Sequence, residues 1–342
     1  MGLRKFRYKK FIIFDFLLIA KIIDEKPWTA YSNIYLCYAN FALIENNFMK
    51  DNLKIAYFGG EPIGVPVLNE LKNAGILPNL IVSNPDALVG RKKTLTSPPV
   101  AQWAKENDIE LLQPESLTDP NHLGVRPLSD WEWDLFIVVA YGKILPKEIL
   151  NIPKHGTLNM HPSLLPELRG ASPIRSAILK DKKETGVTVM LMDEEIDHGP
   201  IVAQEILVFD ENEWPIDGKI LDLQLAETGG KLLAEVIPEW LEGNIAPQEQ
   251  DHEKATFSTK ITKDMSELHI DPFHLPSKQD AYKILLKIRA FAGWPETFFV
   301  YKDKRVKIKE ASIDKSRNLQ ITKVIPEGKN EMLFDEYLKS LT

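Results

Sequence analysis

The sequence predicts an α/β protein: a doubly wound domain with a mostly parallel sheet, followed by a small, separate, β-rich and barrel-like domain. Three observations predict it. From Leu53 onward short apolar runs alternate with helical stretches, the pattern of strand–helix–strand units. One run, residues 134–140, is apolar almost throughout, as a strand in the middle of a parallel sheet must be. Beyond Glu242 several strand-like runs follow one another with no helix between them. The expected division is an extension over 1–50, the α/β domain over 51–242 and the β-rich domain over 243–342.

Composition narrows the classes. The chain has 342 residues, enough for two domains, and its 44% apolar content supplies a core. A net charge of −7 argues against a simple nucleic-acid binder. The charge is uneven, however: residues 51–250 carry 17 Lys/Arg against 31 Asp/Glu, and residues 251–342 carry 17 against 14. That asymmetry points the C-terminal part toward an anionic partner. Cys37 is the only cysteine, which excludes an intrachain disulfide framework, a cysteine zinc cluster and a thiol redox pair, and suits a reducing cytosol.

Residues 1–10 are basic and residues 11–20 apolar, like the first two regions of a signal peptide. Asp15 interrupts the apolar run, no small-residue cleavage site follows, and the run is too short for a membrane span. Met49 stands just before the first recognisable strand, so the expectation is an upstream start or a poorly ordered extension rather than a membrane anchor. Residues 53–58 then read as a strand, Gly59-Gly60 as a turn, and 62–74 as a helix closed by Gly75. Glu61 stands where a dinucleotide fingerprint needs its second glycine, so the turn carries no cofactor reading.

Residues 80–82 are the second strand, followed by a polar loop over 83–94 that contains Arg91, Lys92 and Lys93. A loop of that length in an α/β domain is more often functional than idle, and its three cations suit phosphates. A helix opens at Pro98-Pro99, residues 110–112 make a third strand, and 118–133 read as a connection. The apolar strand over 134–140 ends at Tyr141-Gly142; residues 156–159 form the next strand, and 170–179 a helix. Further on, 278–290 is an amphipathic helix with Ala281, Ile284, Leu285 and Ile288 on one face. Strands are expected over 297–301, 306–313 and 319–324.

Chemistry concentrates at two loops. Asn159 and His161 are two residues apart at a strand end, so an extended backbone aims both side chains to one face. Asp197 lies in a second polar loop, 193–200, after the strand over 187–192. Strand ends of a parallel sheet share an edge, so the two loops are expected to meet there. An amide donor can stabilise an oxyanion, an imidazole can move a proton near neutral pH, and a carboxylate can hold the imidazole. Taken singly, Asn159 and Asp197 are ordinary turn formers. Jointly they indicate acid–base chemistry without a metal, since His161, Asp197 and His198 make a poor zinc pattern.

The run Asn159-Met160-His161-Pro162-Ser163-Leu164-Leu165-Pro166 through Arg169-Gly170-Ala171-Ser172-Pro173-Ile174, with Asp197-His198-Gly199-Pro200, resembles the signature of folate-dependent formyltransferases. Its form is similar to the methionyl-tRNA branch more than to the purine branch, and further matches cover residues 53–342. The resemblance implies a catalytic trio of Asn159, His161 and Asp197, and a folate-binding segment Ser163, Leu164, Leu165 and Pro166. It also implies a pterin-lining turn at Ala140, Tyr141 and Gly142. Arg91, with Lys92 and Lys93, would enter the acceptor end of a tRNA. The C-terminal part would be an OB-like tRNA holder, with Lys302, Lys304, Arg305, Lys307 and Lys309 as phosphate contacts.

The expected reaction carries formyl from 10-formyltetrahydrofolate to methionyl initiator tRNA, in the cytoplasm, by a monomer that needs no metal and no membrane. Two alternatives remain at this stage. One keeps the chemistry and changes the acceptor to a small amine, a sugar nucleotide or water. The other is an RNA-binding protein on an inactive transferase fold.

Overall fold

The computed structural model describes residues 53–90, 93–117, 128 and 130–341. The expectation for residues 1–50, and those for Arg91 and Lys92, lie outside the described residues. Lys54–Thr342 forms one compact unit.

The first half of that unit is the expected alternation. β1 (Ile55–Gly59) leads to α1 (Gly64–Asn73) and β2 (Leu80–Val82), then β3 (Ala87–Val89), β4 (Thr94–Thr96), α2 (Pro99–Glu106) and β5 (Glu110–Leu112). β6 (Leu135–Val139), α3 (Lys147–Leu150) and β7 (Thr157–His161) follow, then β8 (Arg169–Gly170), α4 (Pro173–Leu179), β9 (Glu184–Leu191), β10 (Ile201–Val208) and α5 (Gly218–Leu241). α2 and α4 each open on a proline, whose fixed φ suits the first helical turn and whose missing N–H would have no partner there. α5 opens where Asp217 accepts the Lys219 amide at 2.9 Å, satisfying one of the first turn's free donors.

These strands form a seven-stranded sheet in the order β10-β9-β7-β6-β1-β2-β5. The pairs from β5 to β7 are parallel, whereas β9 runs antiparallel to both β7 and β10. β1, β6 and β7 are buried at every position; in β1 and β6 this explains why apolar residues run on rather than alternate, whereas β7 alternates Thr157, Asn159 and His161 with Leu158 and Met160. Phe58, Phe136, Trp133 and Tyr141 pack together in the core on one side of β1 and β6.

Three features depart from the sequence reading. The polar loop over 83–94 contains a β-hairpin, β3 paired antiparallel to β4, with Leu88 opposite Leu95 and every residue of both strands exposed. β7 extends through His161, so Asn159 and His161 belong to the strand itself and the loop starts after them. β10 and α5 have no counterpart in the sequence reading; both occupy the stretch that it left unassigned.

The second half contains β11 (Phe257–Ser258), α6 (Lys278–Ala290), β12 (Phe298–Tyr301), β13 (Lys304–Ile313), β14 (Leu319–Pro326), β15 (Met332–Leu333) and α7 (Phe334–Lys339). β12 to β15 form a four-stranded antiparallel sheet in sequence order. Its core joins Leu285 and Ile288 of α6 to Phe299, Val306, Val324 and Phe334. α6 packs against α4. At the same junction the amino end of α5 comes so close that a Cβ on Gly218 would lie 2.8 Å from the Ala290 carbonyl, so only glycine fits.

Candidate active site

β7 delivers two of the three expected side chains. The pleat sends Asn159 and His161 to the same face, and both are buried, at 8% and 5% exposure. Asp197 arrives from the loop between β9 and β10. Its Oδ1 lies 3.4 Å from Asn159 Nδ2 and 3.5 Å from His161 Nδ1. The three residues are thus brought together, though not for the expected reason. Because β9 is antiparallel to β7, their carboxyl ends lie at opposite edges of the sheet. The 193–200 loop meets Asn159 and His161 by turning back toward β7.

That loop is held at several points. Asp197 adopts a left-handed backbone, φ 49°, which aspartate tolerates better than most residues. Its Oδ2 accepts the Gly170 amide at 2.7 Å, and its carbonyl accepts Gln250 Nε2 at 2.9 Å. Gly199 passes so near β9 that a Cβ would sit 2.0 Å from the Leu191 carbonyl. An ion pair between Lys147 and Glu194 ties the loop to the start of α3.

Geometry also sets the imidazole's proton. His161 Nε2 lies 3.0 Å from the Leu168 carbonyl oxygen, which can only accept. Nε2 therefore carries the hydrogen, and Nδ1, the nitrogen facing Asp197, is the basic one.

The Ser163–Pro166 turn is rigidified from within. Ser163 Oγ donates to the Glu167 carbonyl at 2.6 Å. The Thr188 hydroxyl donates to the Ser163 carbonyl at 2.7 Å and accepts the Leu165 amide at 3.1 Å. Ser163 and Leu165 are buried, whereas Leu164 and Pro166 remain partly accessible.

Val138 pairs with Asn159, so the Ala140–Gly142 turn leaves β6 at the same sheet edge as His161. Ala140 (φ 47°) and Gly142 (φ 79°) both have left-handed backbones and are exposed, and a Cβ on Gly142 would meet nothing within 4 Å. Two carbonyls of the turn are engaged within the protein, Tyr141 by Asn84 Nδ2 at 3.0 Å and Ala140 by the Glu61 amide at 3.4 Å, so the open space lies over Gly142. Tyr141 itself points inward. Its ring packs edge-on against Phe58, its hydroxyl has no partner among the described residues, and burial pushes its pKa up to about 12.

The expected cationic contacts are spread out. Lys93 is exposed beside the hairpin tip. Lys304 is exposed, and the Arg305 guanidinium lies 3.5 Å over the Phe298 ring. Lys307 is already engaged: it and Lys309 each meet a Glu296 carboxylate oxygen at 2.5 Å. Among the described residues no group of three His, Cys, Asp or Glu is placed to hold a metal ion.

Two contributors escaped sequence reasoning. The Gly170 amide anchors Asp197, and Gln250 joins Arg169 to the Asp197 turn. Gln250 sits in the polar run Glu249-Gln250-Asp251-His252-Glu253-Lys254, which reads as a solvated surface. No spacing in it signals a buried side chain.

Comparison with known proteins places the chain among relatives. Residues 53–235 match the formyl transferase family, and residues 275–335 match the formyl transferase C-terminal domain. A methionyl-tRNA formyltransferase of Caldicellulosiruptor saccharolyticus is 41% identical over 241 residues, 70% of this chain and 73% of that protein. One from Halalkalibacterium halodurans is 33% identical over 311 residues, covering 84% of this chain and 94% of the relative. Among solved structures, the N-formyltransferase of Helicobacter canadensis, in complex with folinic acid and dTDP-3-aminofucose, superposes with a TM-score of 0.54 at 20% identity. That match covers 77% of this chain and 88% of the other.

Proposed function

Because the chain belongs to the formyl transferase family, we propose that it is an enzyme that formylates the free amine of methionyl initiator tRNA for translation initiation. 10-Formyltetrahydrofolate, when bound, supplies the formyl group on a nitrogen that can leave. The observation that carries the reading is the convergence of Asn159, His161 and Asp197, with Asp197 Oδ1 within 3.5 Å of a nitrogen on each of the other two.

Each residue has a distinct task. Asn159 Nδ2 donates to the formyl oxygen as negative charge gathers there, and loss of such a donor costs roughly a hundredfold or more. His161 Nδ1 takes the proton shed by the attacking amine and returns it to the departing nitrogen, so the proton balance closes. Asp197 steadies the imidazolium between those steps. The exposed Ala140–Gly142 turn, with Leu164 and Pro166 at the edge of theirs, receives the folate.

Residues 51–242 carry the chemistry and residues 243–342 hold the tRNA. Lys93 beside the exposed hairpin, Arg91 and Lys92 that precede it in the sequence, and Lys304 and Arg305 meet its phosphates. The protein acts as a cytoplasmic monomer, consistent with its single cysteine; no helix of the described residues is long and apolar enough to cross a membrane.

The test is formyl transfer from 10-formyltetrahydrofolate to charged initiator tRNA, with Asn159→Ala and His161→Ala alongside. Turnover by the parent, lost in both variants, is expected. A parent that binds folate and formylates only small amines would overturn the assignment of tRNA as acceptor.

A further inference from the structure

Arg169 is buried, at 4% exposure, yet no carboxylate lies within ion-pair distance of it among the described residues. A guanidinium taken out of water needs acceptors, and an arginine can only donate. Gln250 Oε1 meets that need twice, accepting from Arg169 Nη2 at 2.7 Å and Nε at 3.1 Å. His252 Nδ1 lies 2.9 Å from the same Nη2.

This chemistry fixes which way the Gln250 amide points. Its oxygen must face the guanidinium, so its NH2 faces away, and there it finds two carbonyls: Asp197 at 2.9 Å and Gly199 at 2.7 Å. Gln250 is itself buried, at 5% exposure, so neither carbonyl has water as an easy substitute. The grip falls on the one residue of the loop whose backbone is left-handed and whose side chain faces His161. Around it the chain is cross-tied. Gln248 bridges to Ile201, β11 pairs with β8, and Ser258 Oγ both donates to the Arg169 carbonyl and accepts the Ser172 amide.

We infer that Gln250 is a positioning residue for Asp197: its amide clamps the 197–199 backbone against Arg169 and thereby aims the carboxylate at His161 and Asn159. The inference rests on the formylation reading, because it takes the Asp197 carboxylate as part of the reacting centre. It assigns a catalytic consequence to the segment that joins the two halves of the molecule, a segment with no chemistry of its own.

The test uses Gln250→Glu in the full-length protein. Glutamate keeps an acceptor for Arg169, so the buried guanidinium retains a partner, but it loses both donors to the loop. A misplacement of about 1 Å can cost on the order of a hundredfold, so kcat is expected to fall roughly ten- to a hundredfold with both KM values unchanged. In an Asp197→Asn background the same substitution should change kcat by less than about threefold, because coupled residues lose their effect together. The imidazole nitrogen resonances of His161 should move in Gln250→Glu as they do in Asp197→Asn. Equal kcat losses in the two backgrounds, a loss confined to KM, or unmoved His161 resonances would overturn the assignment. Should the parent protein fail to formylate, the functional reading fails, and the His161 resonances still decide the role of Gln250.

Discussion

The carboxylate of Asp197 accepts the backbone amide of Gly170 at 2.7 Å, so the group that faces His161 also anchors the loop leaving β8. The two tasks separate by substitution. Asparagine tolerates a left-handed backbone and offers an oxygen to Gly170, but carries no charge. Asp197→Asn is expected to fold within roughly 1 kcal/mol of the parent while losing at least about a hundredfold in turnover. Asp197→Ala should lose similar activity and a further ~1–3 kcal/mol, because the Gly170 amide is left without its acceptor. Denaturant unfolding and kcat, measured on both variants, check the separation. Full activity in Asp197→Asn would show that the charge is not needed.

Glu296 pairs with two cations of the C-terminal sheet, Lys307 and Lys309, and although burial works to raise its carboxyl's pKa, those cations together hold it below the usual range. A phosphate must compete with that carboxylate for either lysine. Glu296→Gln is expected to tighten tRNA binding at low salt. The log–log dependence of affinity on salt should steepen by about 1–2, since each freed phosphate contact adds roughly 0.7–0.9 to the slope. Binding titrations at several salt concentrations measure it. An unchanged slope would mean that neither lysine reaches the nucleic acid.

Arg91 belongs to the segment between β3 and β4, whose Leu88, Val89 and Leu95 are all exposed. Under the proposed function this open apolar hairpin lies next to the tRNA contact. Arg91→Ala is expected to raise KM for tRNA while folate binding, followed by fluorescence, stays as in the parent. Equal loss of both would move Arg91 out of the tRNA contact.

Tyr141 has a buried hydroxyl with no partner among the described residues, and burial pushes its pKa up to about 12. Tyr141→Phe removes an unsatisfied polar group and is expected to be neutral, or stabilising by up to about 1 kcal/mol. The sign of its pH effect follows from proton counting. An unfolded tyrosine ionises from about pH 10, whereas the folded one keeps its proton to about 12, so parent stability falls as pH rises through that window. The variant should lose stability less steeply there, by at most about 1.4 kcal/mol per pH unit. Chemical unfolding at pH 9, 10 and 11, values chosen to bracket the onset, reads the difference.

Much of this arrangement was written in local patterns. Apolar runs marked β1, β6 and the C-terminal strands, and α6 follows its predicted limits, Lys278 to Ala290. Asn159, His161 and Asp197 were legible because each is chemically specialised and sits beside Pro or Gly punctuation. Their meeting was expected for a wrong reason, since strand direction is a tertiary property and nothing in 184–191 states that β9 runs antiparallel. The hairpin had a signal, Val89-Gly90 before a polar tip, that the polarity of the whole loop obscured. Gln250 had none: a glutamine among charged neighbours declares neither its burial nor the arginine it serves.

The pairing of β11 with β8 bears on where this protein can be cut. A truncation after Leu241 would keep the whole seven-stranded sheet, yet it would strand Arg169 without acceptors and free the Asp197 turn. A fragment that keeps both the β8–β11 pairing and the clamp on the Asp197 turn therefore reaches at least to Ser258. A chimera that swaps C-terminal halves between relatives has its safe crossover beyond that residue, not at the end of the long helix.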